Sequence, residues 1–345
     1  MESGGGGRQS TLAAEVSAAG PGLHTGRPCR ITLGPAPPDH GIRFGTRCGA
    51  GPSVAGTWLS RVPSRMNTSL DLGQGRKLRT VEHLMASLTS YGIDNALVAV
   101  DGDEIPIFDG SALRWCDLIE QAGRRPQDAP RTAIRIVKPF QVGENHSFIR
   151  GEPCDHFAVD VSTDRVPGFG VMRWSGAVDA AVFKAAIAPS RSFGNASLIW
   201  RTVLRTRLAE QLLPAPLRHR LWARSFHSQT VAAGTGPRPA ASRPDCQRAI
   251  SPRTLGRMQE GAPEPLLRGA RPGRVAIVLG GRVLGGARFP DEPVRHRVLD
   301  LLGDLALAGR PIQGRIVTNC PTHALTFAFV ADLMADPTLW CLATL

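Results

Sequence analysis

The sequence predicts an α+β fold in two domains. Three observations carry this expectation. Strand-like runs and helical periodicities are interspersed before residue 125. A second set of strand-like runs follows a stretch punctuated by Pro126 and Pro130. With 345 residues at 42% hydrophobic content, the chain can bury two cores of ordinary size.

Residues 1–18 read as a flexible tail, because Gly, Ala and Ser dominate and no continuous apolar run suggests a secretory leader. The first domain is expected over 19–125. Residues 22–34 predict a turn and a strand, and Pro35–Pro38 a further turn. The turn at Gly22–Gly26 carries His24, which either contacts a ligand or stabilises the turn. A strand follows at 41–44. Thr80 is a candidate N-cap for a helix whose apolar stripe is Val81, Leu84, Met85 and Leu88. Gly92 should stop it. A strand is expected at 95–100 and a helix at about 111–122. Between them, Glu104–Ala112 is an extended loop, either structural or a wall of a site.

Residues 126–131 read as a linker, and 132–345 as the second domain. Its strands are expected at 133–142, 146–150 and 156–162. An Arg/Pro-rich insertion at 195–272 interrupts it, with thirteen arginines, no lysine and four acids. Mutual repulsion and frequent Pro predict coil outside either core there. Order returns with a buried-type strand at 273–279 and a Gly280-Gly281 hairpin turn.

The net charge of +12 raises the question of nucleic acid. Its distribution argues against that partner, since 195–272 alone contributes nine of the twelve excess charges. Acidic partners or membrane phosphates are the contacts open to that segment, which limits any membrane association to a peripheral one. No stretch of 18 apolar residues predicts a membrane span. Seven scattered cysteines without a CxxC pair indicate reduced thiols and a cytoplasmic location. The chain is expected to be a monomer.

The chemistry concentrates in two segments more than 200 residues apart. Glu82 and His83 sit at the start of the first helix, off the centre of its apolar stripe. His296, Asp300 and Asp304 are spaced by four, which aligns them on one helical stripe. Val294, Val298, Leu301, Leu302 and Leu305 form a second, apolar stripe. A polar stripe is either a solvated face or a set of ligands. Here Leu299, Leu307 and Ala308 surround it, so the helix is expected to be buried, and buried carboxylates need a metal, a cation or a hydrogen-bond partner. His83, His296 and Asp300 with Glu82 alongside have the composition of a catalytic zinc site with an open position and a base. His40, His146 and His156 lack sequence partners and read as surface or strand-end residues.

These residues also resemble one family. Gly22-Leu23-His24-Thr25-Gly26, Thr80-Val81-Glu82-His83-Leu84, Gly92-Ile93-Asp94-Asn95, Glu104–Ile107 with Asp109–Ala112, Ser190–Gly194, His296 with Asp300 and Gly303-Asp304, and His323-Ala324-Leu325 occur in the order found in the UDP-3-O-acyl-N-acetylglucosamine deacetylases. The resemblance spans about 20–194 and 273–340. It implies two α+β domains, each a β-sheet layered with helices, the helices of both lying between the sheets. It implies zinc-dependent release of acetate from a UDP-linked acylated N-acetylglucosamine in lipid A biosynthesis. By position, the zinc ligands would be His83, His296 and Asp300. Glu82 would be the general base and His323 the acid or oxyanion partner. Asp304 would support His323, and Ser192 would offer an oxyanion hydroxyl. Arg297, Phe193 and Gly194 would bind substrate. The chain departs from the pattern at Arg297 and Ser192, where the family usually has Lys and Thr, and at Cys320-Pro321-Thr322-His323, where it often has Lys-Ser-Gly-His. The 195–272 segment stands where the family has a compact insert shaping the acyl passage, which implies a weak or chain-length-insensitive deacetylase. The alternative is a non-catalytic or impaired member that acts as a binding protein.

Overall fold

A computed structural model describes residues 7–46, 53–197, 199 and 266–345. The N-terminal half runs β1 (Arg8–Leu12), β2 (Val16–Pro21), β3 (Pro28–Pro35), β4 (Ile42–Thr46), β5 (Val54–Ala55), β6 (Arg61–Val62), β7 (Ser69–Asp71) and β8 (Lys77–Leu78). Helix α1 (Glu82–Ser90), β9 (Ala96–Asp101), α2 (Leu113–Ala122) and β10 (Arg124–Pro130) complete it. The C-terminal half begins with β11 (Thr132–Ile136), β12 (Phe140–Glu144), β13 (Ser147–Glu152), β14 (Phe157–Thr163) and β15 (Met172–Ala177). It continues with β16 (Phe193–Asn195), β17 (Ala276–Leu279), β18 (Arg282–Val283), α3 (Glu292–Leu305), β19 (Ile312–Asn319), α4 (His323–Ala335) and β20 (Trp340–Thr344).

The expected α+β architecture is present. One five-stranded sheet has the order β2-β3-β9-β4-β5, with β4 and β9 parallel. A seven-stranded sheet is built around β19, which pairs parallel with β11 and β14 and antiparallel with β13. Helix α2 packs on β2, and α4 on β12 and β13. Helix α3 packs on β14, β15 and α4, and its long face meets α1. The helices of both halves therefore lie between the two sheets. Small three-stranded sheets, β6-β7-β8 and β16-β17-β18, flank this frame.

Several local expectations need correction. From residue 8 on, the supposed tail is strand, and the supposed linker at 126–131 is mostly β10. The two pair antiparallel, with Thr11 opposite Arg125 and Leu12 opposite Arg124. No apolar alternation marks β1 because polar groups hold it. Ser10 N–H donates to Asp94, and the Thr11 hydroxyl donates to the Asn95 carbonyl. A two-stranded ribbon tolerates Pro126 and Pro130 because its outer edge needs no donors. The run at 133–142 is two strands, β11 and β12. Thr80 is not an N-cap. It lies at φ +61°, and its hydroxyl donates to Glu104 at 3.0 Å.

Most of the 195–272 segment lies outside the described residues. Its two ends do not behave as coil. Asn195 closes β16, and Ile199, Leu267 and Val275 are buried in a small cluster with Leu23 and Ile107. The Gly280-Gly281 turn is present with both residues at positive φ, as a type I′ hairpin requires.

The two halves approach closely where α3 crosses α1. A Cβ built on Gly303 would stand 2.1 Å from the Glu82 carbonyl oxygen. Only a glycine lets the helices approach this far. Gly303→Ala should therefore separate them and cost about 1–3 kcal/mol, the usual penalty for overpacking. The check is a denaturant midpoint. A wild-type value for Gly303→Ala would show that the crossing relaxes without cost.

Candidate active site

The α1–α3 crossing builds the site. His83 lies in the first turn of α1, and His296 and Asp300 lie one turn apart on α3. All are buried or nearly so. His296 Nε2 is 3.4 Å and His83 Nε2 is 3.8 Å from Asp300 Oδ1. The two imidazole rings meet edge-on with centroids 5.1 Å apart. One donor atom from each of the three lies within 4.8 Å of the others. Two ligands about 2.1 Å from a tetrahedral ion are about 3.4 Å apart, so the spacing fits a metal.

The protonation states fit as well. Burial, reinforced by the neighbouring His296, pushes His83 down to about 3. Burial also lowers His296, against the pull of Asp300. Both rings are thus neutral, with lone pairs to offer. His296 Nδ1 lies 3.2 Å from the Ser190 carbonyl. A carbonyl only accepts, so Nδ1 carries the proton and Nε2 faces Asp300. That backbone contact is the usual way a ligand imidazole is oriented. Burial disfavours the Asp300 carboxylate, but His296 and the other nearby imidazoles win and hold its pKa below the ordinary value.

Glu82, Asp300 and His323 each bring a donor atom into one small volume. The Thr68 backbone N–H donates to Glu82 Oε2 at 2.9 Å. Burial raises Glu82 to about 8, and His323 opposes this. His323 opens α4, and its Nδ1 donates to Asp304 Oδ2 at 2.8 Å. Burial opposes charge on His323, but the Asp304 charge and hydrogen bond prevail and hold its pKa at about 10. Two histidines of the same site are therefore kept neutral, and the third is kept cationic. The difference is one buried carboxylate.

Of the remaining expected residues, Phe193 and Arg297 adjoin His296 and Asp300. The Phe193 ring stands edge-on to His296 at 5.9 Å. The Arg297 guanidinium lies 5.1 Å from the Phe193 centroid and 3.9 Å from Asp300 Oδ2. Ser192 is clamped through its backbone, donating to the Gly110 carbonyl and accepting from Ala276. Gly194 is bare for packing reasons, since a Cβ there would come within 2.9 Å of Ile199. The Glu104–Ala112 loop, open to two readings from sequence, braces the structure. Glu104 accepts from the His24 and Thr25 backbone N–H groups and from the Thr25 and Thr80 hydroxyls. The Gly22–Gly26 turn is therefore held from behind by a buried carboxylate.

Sequence reading missed three contributors. Thr68 donates its hydroxyl to Asp304 Oδ1, and Thr68 Oγ1 is 3.2 Å from His323 Nδ1. The only sequence signal was a polar run, Asn67-Thr68-Ser69, before a short strand. Gly303 was seen only as part of a motif. Glu292, at the first turn of α3, accepts from the Arg191 N–H and Nε at 3.0 and 2.8 Å, from Arg191 Nη2 and from the Arg288 N–H. This pair locks the start of α3 to the Ser190–Gly194 segment that orients His296.

Comparison with known proteins shows the family. Residues 9–208 and 247–335 match the family model described as UDP-3-O-acyl N-acetylglycosamine deacetylase. Similar curated proteins carry the name UDP-3-O-acyl-N-acetylglucosamine deacetylase. One from Anaeromyxobacter sp. (strain Fw109-5) is 34% identical over 331 residues, 95% of this chain and 89% of that protein. One from Anaeromyxobacter dehalogenans is 33% identical over 331 residues, covering 95% and 88%. One from Phenylobacterium zucineum is 30% identical over 342 residues, covering 97% and 96%. The family match reaches further into the Arg-rich segment than the sequence motifs suggested, leaving only 209–246 unmatched between its two parts.

The Glu292–Arg191 pair has a measurable consequence. Burial would raise the Glu292 pKa, but Arg191 and the two backbone donors outweigh it and hold the pKa below the ordinary value of 4.5. The stability this provides is present above that ordinary value and is lost as pH falls through the lowered one. Glu292→Gln should cost about 1.5–3 kcal/mol at neutral pH, the range for hydrogen bonds to a charged group. The deficit should shrink toward pH 3. A constant deficit from pH 7 to 3 would mean that the carboxylate charge is irrelevant to the lock.

Proposed function

The chain belongs to the UDP-3-O-acyl N-acetylglycosamine deacetylase family, and we propose that it is a zinc-dependent enzyme removing acetate from the 2-acetamido group of UDP-3-O-acyl-N-acetylglucosamine in lipid A biosynthesis. One observation carries this reading. Three convergent ligands, His83, His296 and Asp300, stand beside a buried carboxylate, Glu82, and a cationic imidazole, His323.

An amide carbonyl is a poor electrophile. His83, His296 and Asp300 would hold a zinc ion, which when bound would polarise that carbonyl as a Lewis acid and make water more acidic. Glu82 then takes the proton of the attacking water, steadied by the Thr68 N–H. The Nδ1 proton of His323 is committed to Asp304, so the transferable proton is on Nε2. It goes to the leaving amine nitrogen. Asp304 and Thr68 hold that ring in register throughout. Ser192 offers its hydroxyl to the developing oxyanion. Arg297, partly exposed at the rim, meets the diphosphate with a planar guanidinium. Phe193 and Gly194 form the wall between them.

The non-catalytic alternative draws no support from the described residues, where Glu82, His83, His296, Asp300 and the His323–Asp304 pair lie together. Among them no helix is long and apolar enough to cross a membrane. A cytoplasmic location is proposed from the UDP-linked substrate and from cysteines that are all free among the described residues.

The direct test is acetate release together with zinc content. The purified protein should hold one zinc ion per chain and release acetate from the UDP-linked substrate. His296→Ala should lose both. Glu82→Gln should keep the zinc and lose about 10²–10⁴-fold in rate, the usual contribution of a positioned base. Near-wild-type turnover by Glu82→Gln would sink its role.

The pH dependence tests His323. The rate should fall at alkaline pH as His323 loses its proton, near the value of about 10 that Asp304 sustains. Asp304→Asn removes that support and leaves only the more distant Asp300 and Glu82 charges against burial, so the alkaline limb should move to lower pH. A limb that does not move would remove His323 from the role of acid.

A further inference from the structure

A second cluster of donors lies away from this site, in the loop joining β13 to β14. Cys154, Asp155 and His156 bring one ligand atom each within 4.8 Å of the others. Cys154 Sγ is 3.6 Å from His156 Nδ1 and 3.7 Å from Asp155 Oδ1. His156 Nδ1 and Asp155 Oδ1 are 2.6 Å apart.

These contacts converge and do not form a relay. The thiol and the carboxylate both address the same ring nitrogen, so the trio is not arranged to activate a nucleophile through the far side of the imidazole. An ordinary surface pair would need only Asp155 and His156, and such exposed pairs contribute little to stability. It leaves the placement of the thiol unexplained. A thiolate at about 2.3 Å and an oxygen or nitrogen at about 2.1 Å from a tetrahedral ion are about 3.6 Å apart. Both sulfur distances match that edge. The nitrogen–oxygen edge would open by less than 1 Å, since about 3.4 Å is expected.

The backbone carrying the ligands is already fixed. Gln313 Nε2 donates to the Asp155 carbonyl, and the Gly314 N–H donates to the His156 carbonyl at 3.2 Å. Gln313 is itself held by Arg135 Nε at 2.7 Å. Strand β19 therefore pins both sides of the loop, and only side-chain rotation is needed to close on an ion.

We infer that Cys154, Asp155 and His156 form a second divalent-metal site, selective for a borderline-soft ion such as zinc or cobalt. Sulfur with imidazole favours these over magnesium or calcium. Water completes the coordination, because the loop is largely exposed. The site is weaker than the His83–His296–Asp300 centre. It is open to solvent, and Arg124, Arg131 and Arg310 line the same cleft as Asp155 and His156.

Cobalt distinguishes the two centres, because the first contains no sulfur. The full-length protein, with its catalytic ion in place, is titrated with Co²⁺ while the thiolate-to-cobalt absorption in the near ultraviolet is followed. One equivalent should develop that band. Cys154→Ser should abolish it, and His156→Ala should weaken binding at least ten-fold. His296→Ala should retain it, which separates this site from the catalytic one. Absence of the band, or its survival in Cys154→Ser, overturns the inference.

Discussion

The close crossing of α1 and α3 is the constraint on which the rest depends. The Glu82 carbonyl lies where a side chain on Gly303 would begin. At that separation, the first turn of α1 and the middle of α3 share one buried volume. His83 then reaches Asp300, and Glu82 stands beside the three ligands. A side chain at Gly303 would force the helices apart and carry these groups away from one another. The two sheets outside the helices press this crossing together, so the fold and the site rest on one contact.

Within that volume, charge is allocated by neighbours and not by residue type. His83 and His296 are buried and His323 is largely so, and desolvation alone would favour the neutral form of each. His83 and His296 stay neutral, as the proposed metal ligation would require. His323 is made cationic by Asp304, which also accepts from Thr68. A proton donor and two lone-pair donors thus come from one kind of side chain within one turn of a helix or two. The carboxylates divide in the same way. Asp300, among imidazoles, is held ionised, whereas Glu82, more enclosed, is pushed up toward the range useful to a base.

A further layer keeps this arrangement rigid. The Ser190 carbonyl orients His296, and the Arg191–Glu292 pair fixes Ser190 to the start of α3. Glu104 does the same for the Gly22–Gly26 turn and for Thr80, whose strained left-handed backbone directly precedes α1. Buried ionic groups of this kind contribute little net stability for their cost. Their effect here is positional, since each one ties the site to a distant segment of chain.

The sequence alone determined the polar stripe on α3, the Glu-His pair on α1 and the approximate positions of several strands, among them β4, β9, β13 and β14. Those follow from local rules, because side chains four apart align on any helix and glycines such as Gly92 end one. It also pointed to a candidate metal site, since buried acids on an apolar helix require partners. The β1–β10 ribbon was not legible, because Ser10 and Thr11 are held by hydrogen bonds to residues some 84 positions away. Nor were Thr68, the Glu292–Arg191 pair or the real reason for Gly303. Each acts through a contact across the fold, and local periodicity carries no information about which distant backbone a residue will meet. The residues of the site were therefore written in the chain, but their distances, their protonation states and the one missing side chain that lets them meet were decided by the tertiary structure.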